Sequence, residues 1–239
     1  MAALRNFTLL HQPLNSLSTT MMNSSAYLTL NMNEGILEGA GDLFKKVHGI
    51  NMFEYMSNDP TFSNIFNKAM VGISQFKLKG ILEAYRGYEG LASLVDVGGG
   101  TGKCLHMITS MYPHIKVINY DLPHVIQNAP TFPGIEHVGG DMFSSVPTAE
   151  AIMLQLLKNC YTALPKHGKL IIITVVLLEE PESNKYSMYT SRIDTAMIAH
   201  FSSGKERTTK ELESLCRKAG FSNFQVAFQG FEAVIESYK

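Results

Sequence analysis

The chain has 239 residues, of which 45% are hydrophobic and 17% charged, a composition typical of a globular protein with a sizeable buried core. The formal net charge of −1 and the lack of a basic run exclude a nucleic-acid binder and a polybasic membrane patch. The three cysteines are widely spaced, which argues against a disulfide scaffold or a metal site and indicates a reducing compartment, with the cytoplasm as the expected location. No apolar stretch is long enough to cross a bilayer.

The first 33 residues differ in composition from the rest. They lack Asp, Glu and Lys and are rich in Ser and Thr, a bias typical of organelle transit peptides that makes a plastid the alternative location. The other interpretation is a remnant of a helical N-terminal region, so residues 1–33 stay unassigned. Apolar spacings of three and four from Asn33 onward, with a new helix after Asp59-Pro60, predict a helical lead-in over 34–85.

Residues 86–239 alternate strand and helix, which predicts βαβ units and a parallel sheet. A capping box at Thr208–Glu211 predicts a helix that stops at Gly220, and two alternating runs after it predict an antiparallel hairpin. We therefore expect a doubly wound, mostly parallel α/β fold with an antiparallel C-terminal edge and a helical N-terminal segment. The expected parallel strands are Leu94–Val97, Val117–Tyr120, Ile135–Val138, Ala151–Gln155 and Leu170–Val176.

The glycine-rich turn after the first strand fits neither of two common nucleotide motifs. The dinucleotide fingerprint fails at its sixth position, which is Lys103, and the phosphate-binding P-loop fails because Cys104 follows Lys103. What remains is an acid, Asp96, one residue before Gly98-Gly-Gly-Thr-Gly102. A nicotinamide-dependent dehydrogenase is therefore disfavoured, and binding of the dinucleotide would test it.

Two further acids follow the next two strands, Asp121 and Asp141. Glycines let the backbone approach a ligand, and the following helix N-terminus favours a carboxylate. A carboxylate after the second strand can accept hydrogen bonds from both ribose hydroxyls, while Asp96 and Asp141 can accept from an ammonium and an adenine amino group. The cofactor indicated is S-adenosylmethionine. The alternative is that these acids only cap turns.

Five motifs, in order, make the chain similar to a known family from about Asn33 to its C-terminus. It resembles the plant small-molecule O-methyltransferases of the caffeic acid and isoflavone type. The resemblance implies a cation-independent enzyme with a helical N-terminal dimerisation region, S-adenosylmethionine as methyl donor and a phenolic or related hydroxyl as acceptor. The motifs are LVDVGGGTG (94–102), NYDLPH (119–124), GIEHVGGDMF (134–143), LKNCYTALP (157–165) and GKERT (204–208).

The resemblance also assigns roles to individual residues. Met70 and Met197 match methionines of the acceptor pocket, and Glu206 matches one of two acids that flank the family's catalytic histidine; plain core packing and a solvated carboxylate are the alternatives. The residues that match cofactor-binding positions are Gly98, Asp121, Leu122, Asp141, Met142, Ser74 and Gln155.

The chain departs from the family where the catalytic base is expected. Between Gln155 and Leu156 the family carries a further segment, which contains the histidine that deprotonates the acceptor. The family also has a lysine at the position of Gln155. Thr174 stands at the position of the acid that orients the histidine. Because a phenol has a pKa of about 10, such a base contributes about 10²- to 10⁴-fold to the rate. Only His200 lies in a stretch expected near the acceptor, and packing is its more common role.

Two kinds of function therefore stay open. The first is an O-methyltransferase of impaired activity, which relies on proximity of acceptor and methyl donor for much of its rate. The second is a shortened, non-catalytic relative that binds cofactor or a partner. The sequence pattern also lacks most of the family's N-terminal dimerisation helices. We therefore expect the homodimer that the family resemblance implies to be weakened in this chain.

Overall fold

The computed structural model describes residues 43–153, 157–201 and 204–239. The chain divides into two compact units, one formed by Met1–Asn67 with Arg192–Lys205 and the other by Lys68–Ser191 with Glu206–Lys239. No helix among the described residues has the length and apolar character needed to cross a membrane.

The first unit is helical where it is described. It contains α1 (Leu43–His48), α2 (Met52–Asn58), the start of α3 (Pro60–Ala84) and the end of α7 (Lys185–His200). The predicted break at Asp59-Pro60 is confirmed, since Pro60 opens α3, where a missing N–H costs nothing. A small core of Phe44, Met52 and Phe62 holds this unit together.

The second unit is built on one seven-stranded sheet. Its strands are β1 (Ser93–Val97), β2 (Lys116–Asp121), β3 (Ile135–Gly139), β4 (Ala151–Met153), β5 (Lys169–Thr174), β8 (Ser222–Gln229) and β9 (Ala233–Tyr238). They lie in the order β3-β2-β1-β4-β5-β9-β8. β1 to β5 are parallel, and β8 and β9 form an antiparallel hairpin at the edge, which confirms the predicted architecture.

Helices cover both faces of this sheet. Leu78 and Ile81 of α3 join Leu105 of α4 (Lys103–Met111) in the core on one face. The other face packs Cys160 of α6 (Leu157–Ala163) with Leu212 of α8 (Thr209–Ala219). The short α5 (Pro123–Ile126) follows β2. The predicted capping box of α8 is confirmed by Thr208 and Glu211, and Gly220 ends the helix at a φ of 105°, a conformation that favours glycine.

The predicted fifth strand, Leu170–Val176, is interrupted. Thr174 is the last residue of β5, where it pairs with Ala233 at the start of β9. The chain then leaves the large sheet at Val175, and β6 (Val176–Leu177) pairs with β7 (Arg207–Thr208) in a separate two-stranded sheet. The apolar run continues through this break, so hydrophobicity alone gives no sign of it.

Candidate functional site

The carboxyl ends of β1, β2 and β3 meet at one edge of the sheet and place three acids there. Asp96 of β1 pairs with Asn119 of β2, and Asp121 pairs with Gly139 of β3, two residues before Asp141. The strand order reverses direction at β1, because β2 and β3 lie on one side of it and β4 on the other. Ligands of open α/β sheets bind at such a point.

The glycine-rich turn after β1 is shaped by its backbone. Gly98, Gly100 and Gly102 have φ values of 76°, 58° and 77°, in the left-handed region where L side chains are strained. Gly99 has an ordinary φ but no space, because a Cβ there would lie 2.2 Å from Asn119 Oδ1 and 2.7 Å from Asp96 Oδ2. The turn therefore needs glycine for two separate reasons.

Asp121 links the second strand to this turn. Its Oδ2 accepts a hydrogen bond of 2.9 Å from the Gly100 N–H, and its Oδ1 accepts one of 2.7 Å from the Leu122 N–H. An ionised carboxylate can accept about four hydrogen bonds, so Asp121 keeps acceptor capacity for two hydroxyls of a ligand. Burial and the charge of Asp121 together raise the pKa of Asp96 to about 7.

Asn119 and His137 support the glycine-rich turn, and the sequence analysis did not identify either residue. Asn119 Nδ2 donates to Gly100 O at 2.9 Å and lies 3.0 Å from His137 Nδ1. Among the described residues, Asn119 Oδ1 and His137 Nε2 are buried without a hydrogen-bond partner. The available signal was a polar Asn in the strand run Val-Ile-Asn-Tyr-Asp.

Asp141 behaves as the turn-capping alternative describes. Its Oδ1 accepts from the Phe143 N–H and its Oδ2 from the Ser144 hydroxyl, both at 2.9 Å. Nearby apolar surface is available for a planar base: Leu122 is 45% exposed and Phe143 70% exposed. Met142, between Asp141 and Phe143, packs against the core.

The first turn of α4 completes this edge of the sheet. Gly102 is its N-cap residue and has no side chain with which to cap the first N–H groups. Those groups and the helix dipole favour an anion such as a carboxylate. The glycine turn, Asp121, the apolar side chains of Leu122 and Phe143 and the first turn of α4 thus offer groups that suit a nucleoside carrying a carboxylate, and we call this set the nucleoside cradle.

The remaining predicted residues are spread over other elements. Ser74 is half-buried and Met70 is 43% exposed, both on α3. Met197 lies on α7 within the first unit. Gln155 lies outside the described residues, as do its neighbours on either side; the described part of the fourth strand is Ala151–Met153, and α6 begins at Leu157.

The predicted catalytic positions offer little base chemistry. Thr174 is buried at the end of β5 and its hydroxyl donates to Val175 O at 3.3 Å. Glu206 directly precedes β7. His200 Nδ1 donates to Ala196 O at 2.8 Å, one helical turn back, and its ring lies 6.3 Å from that of Phe44. This is the packing role expected of a lone histidine.

A cavity of about 320 Å³ lies beside β6, in the second unit. Its apolar lining comes from Val176, Leu177 and Leu178, and its polar lining residues are Glu179, Tyr186, Thr209 and Gln229. The Tyr186 hydroxyl donates to Val176 O at 2.7 Å and accepts from Gln229 Nε2 at 2.8 Å. The volume of this cavity is at the lower end of the range for small-molecule pockets.

Comparison with known proteins agrees with the resemblance read from the sequence. Residues 29–222 match the model of the O-methyltransferase domain family. A caffeic acid 3-O-methyltransferase of Populus kitakamiensis is 48% identical over 221 residues, which cover 87% of this chain and 60% of that protein. A flavone 3'-O-methyltransferase of Chrysosplenium americanum is 48% identical over 217 residues, 85% of this chain and 63% of that protein.

Solved structures show the same fold. The crystal structure of LaPhzM has a TM-score of 0.78 and 25% identity over 90% of this chain and 69% of its own. Human N-acetylserotonin methyltransferase, solved in complex with SAM, has a TM-score of 0.78 and 20% identity over 92% and 68%. The chain spans about three fifths of the length of the curated relatives it matches, 60% and 63% for the two named. It belongs to the family of the caffeic acid and flavone O-methyltransferases.

Proposed function

We propose that this protein is an O-methyltransferase that takes its methyl group from S-adenosylmethionine and transfers it to a hydroxyl of a phenolic small molecule. The observation that carries the proposal is the hydrogen bond of 2.9 Å from the Gly100 N–H to Asp121 Oδ2. It places a carboxylate suited to ribose hydroxyls beside a turn that is open to a ligand. A Cβ built on Gly98 would meet nothing within 4 Å, so the backbone is accessible there.

Each part of the cradle has a role in binding the cofactor. Asp121 accepts from the ribose hydroxyls, Leu122 and Met142 contact the adenine, and Asp141 accepts from its amino group through lone pairs beyond those used in its turn. The first turn of α4 binds the carboxylate. Ser74 and Gln155 belong to this proposed site through the family resemblance alone. The bound cofactor supplies an electrophilic methyl group on a sulfonium.

The acceptor side of the proposal follows the named relatives, whose acceptors are caffeic acid and a flavone. Met70 and Met197 are proposed to line the acceptor pocket, and Glu206 to lie near the reacting hydroxyl. The sequence allows only three residues between β4 and α6, so the family's histidine has no counterpart there and we expect slow turnover. A homodimer and a cytoplasmic location belong to the proposal; the described cysteines are free thiols, which fits a reducing compartment.

Binding without turnover is the second candidate, and the short β4–α6 junction favours it. Calorimetric titration with S-adenosylhomocysteine tests what both share: we expect binding that Asp121→Ala weakens at least about tenfold, since two charge-assisted hydrogen bonds are lost. Glu136→Gln, on the exposed side of neighbouring β3, is the matched control and should bind normally. No binding by the unmodified chain would refute both candidates.

Turnover of caffeic acid separates the two candidates. Insertion of the family's histidine segment after Gln155 should raise the rate, by at most the factor of about 10² to 10⁴ that a general base contributes. Measurable turnover by the unmodified chain supports the slow enzyme, while turnover only after insertion supports the non-catalytic form. Equal rates with and without the insertion would contradict our account of the missing base.

A further inference from the structure

A second buried carboxylate lies at the carboxyl edge of the sheet, away from the nucleoside cradle. Glu232 directly precedes Ala233, and Ala233 pairs with Thr174 at the end of β5. The Glu232 carbonyl accepts from the Gly230 N–H at 2.9 Å, which fixes the turn between β8 and β9. Only 8% of the Glu232 side chain is exposed.

The carboxylate has one cationic and one phenolic partner. Lys77 Nζ, on α3, forms an ion pair with Glu232 Oε1, and the Tyr189 hydroxyl, on α7, donates to the same oxygen at 3.3 Å. Within the described residues both contacts use Oε1, so Oε2 remains able to accept. We call these three residues the Lys77–Glu232–Tyr189 cluster.

The surroundings of the cluster suit an aromatic molecule. The ring of Phe231, 60% exposed, packs edge-on against Tyr189 with centroids 5.1 Å apart. Tyr186 lies one turn before Tyr189 on α7 and lines the cavity beside β6. Lys77 keeps 28% of its side chain exposed.

One face of α3 joins the cluster to two residues predicted for the ligand sites. Met70, Ser74 and Lys77 are spaced by four and three residues on α3, which places them on one helix face; Met70 is predicted for the acceptor pocket and Ser74 for cofactor binding. Across the sheet, β9 is three strands from β1, or about 14 Å at the usual strand spacing. The acids Asp121 and Asp141 follow strands on the opposite side of β1.

A purely structural role explains the cluster less well. Removing two charges from water is costly, and a buried ion pair is weak evidence for stability. The same strand offers a comparison at its other end, where Glu236 accepts four hydrogen bonds that use both of its oxygens. Within the described part of the chain, Glu232 has two such contacts, both on Oε1.

We propose that the Lys77–Glu232–Tyr189 cluster binds the phenolic hydroxyl of the acceptor and that Glu232 takes its proton, in place of the missing histidine. The inference rests on the proposed methyltransferase function. The O–H bond breaks as the proton moves to Glu232 Oε2; the phenolate oxygen then bonds to the methyl carbon while the carbon–sulfur bond breaks and its electron pair stays on sulfur. Lys77 remains protonated and stabilises the phenolate, and Glu232 later releases its proton to solvent.

The first test is turnover of caffeic acid by the full chain with S-adenosylmethionine. Glu232→Gln should lower kcat by about 10²-fold, within the range of a lost general base, while the Kd of S-adenosylhomocysteine changes less than twofold. Tyr189→Phe, which removes only a hydroxyl, should raise KM for caffeic acid more than it lowers kcat. Glu236→Gln is the matched control: it should lower the denaturation midpoint but leave kcat per folded molecule unchanged. Wild-type kcat in Glu232→Gln would overturn the proposal.

The second test does not need turnover. Caffeic acid absorbs at longer wavelength when its catechol ionises, so its absorbance is titrated against pH with the chain in excess and S-adenosylhomocysteine present. Ionisation should begin at lower pH than in free caffeic acid, and Lys77→Met should abolish that shift. An unshifted curve with the wild-type chain would refute the cluster's role. Failure of the chain to bind S-adenosylhomocysteine would instead refute the proposed function, which keeps the two failures distinguishable.

Discussion

Glu236 gives the most direct test of how this fold is held together. Its carboxylate is buried at the edge of the sheet opposite the candidate site, where Lys169 begins β5 and Tyr238 ends β9. Oε1 accepts from the Tyr85 hydroxyl at 2.5 Å and from Lys169 Nζ at 2.8 Å. Oε2 accepts from Gln225 Nε2 and from the Tyr238 hydroxyl, both at 2.7 Å. Every donor around the group therefore favours its ionised form.

The resulting pKa gives the size of the effect. Although burial alone raises the pKa of Glu236, the hydrogen bonds from Lys169, Tyr85 and Tyr238 outweigh it and lower the pKa from 4.5 to about 2. At about 1.4 kcal/mol per pH unit, this shift corresponds to roughly 3 kcal/mol of folding free energy. Because the pKa of the folded state is the lower one, this stability is present above about pH 4.5 and is lost as the pH falls towards 2.

Glu236→Gln should therefore lower the free energy of unfolding by about 3 kcal/mol at pH 7, and the difference from wild type should shrink as the pH approaches 2. The chain has no Trp, so urea unfolding is followed by far-ultraviolet circular dichroism. Glu213→Gln is the control: Glu213 pairs with Arg217 on the surface of α8 at 2.7 Å, and such pairs contribute less than about 1 kcal/mol. A loss below about 1 kcal/mol for Glu236→Gln, or one that does not vary with pH, would refute the reasoning.

Three further predictions concern the nucleoside cradle and α8. Burial and a neighbouring carboxylate raise the pKa of Asp96 to about 7, so the ionised fraction of Asp96, which attracts a cation, increases as the pH rises. Calorimetry should therefore show that the affinity for S-adenosylmethionine increases from pH 6 to 8 in the wild type and does not change with pH in Asp96→Asn. Gly99→Ala sets a Cβ 2.2 Å from Asn119 Oδ1 and should weaken S-adenosylhomocysteine binding at least about tenfold, whereas Gly72→Ala, with open space around it, should bind normally. Thr208→Ala removes the cap of α8 and should cost about 1 kcal/mol in urea unfolding.

Local pattern was enough to predict the sheet and the acids at its edge. Short apolar runs that end in glycine or aspartate mark where a parallel strand stops, so the ends of β1, β2 and β3 followed directly from the sequence. The capping box at Thr208 is equally local. The break at Val175 was not predictable in this way, because what ends β5 is the register of β9, a strand that begins at Ala233.

The groups that support the site depend on long-range contacts and escaped prediction for that reason. Nothing near Lys77 in the sequence indicates an ion pair with Glu232, and the Tyr85–Glu236 hydrogen bond joins residues 151 positions apart. Asn119 and His137 meet only because β2 and β3 pair in a register that sets them side by side. The resemblance to a family supplied Ser74, Met70 and Met197, whose types alone indicate no chemistry.

Glu232 and Glu236 show how one strand can serve stability at one end and function at the other. Glu236 has donors on both carboxylate oxygens and lies where β5 begins, so its charge is fully satisfied and no ligand is needed to explain it. Glu232 has its contacts on one oxygen and lies where β5 ends, at the edge to which ligands of such sheets bind. A carboxylate oxygen with spare lone pairs at that edge can accept a hydrogen bond from a ligand. Its place beside the partly exposed Lys77 therefore points to a molecule that brings its own hydroxyl, as a phenolic acceptor does.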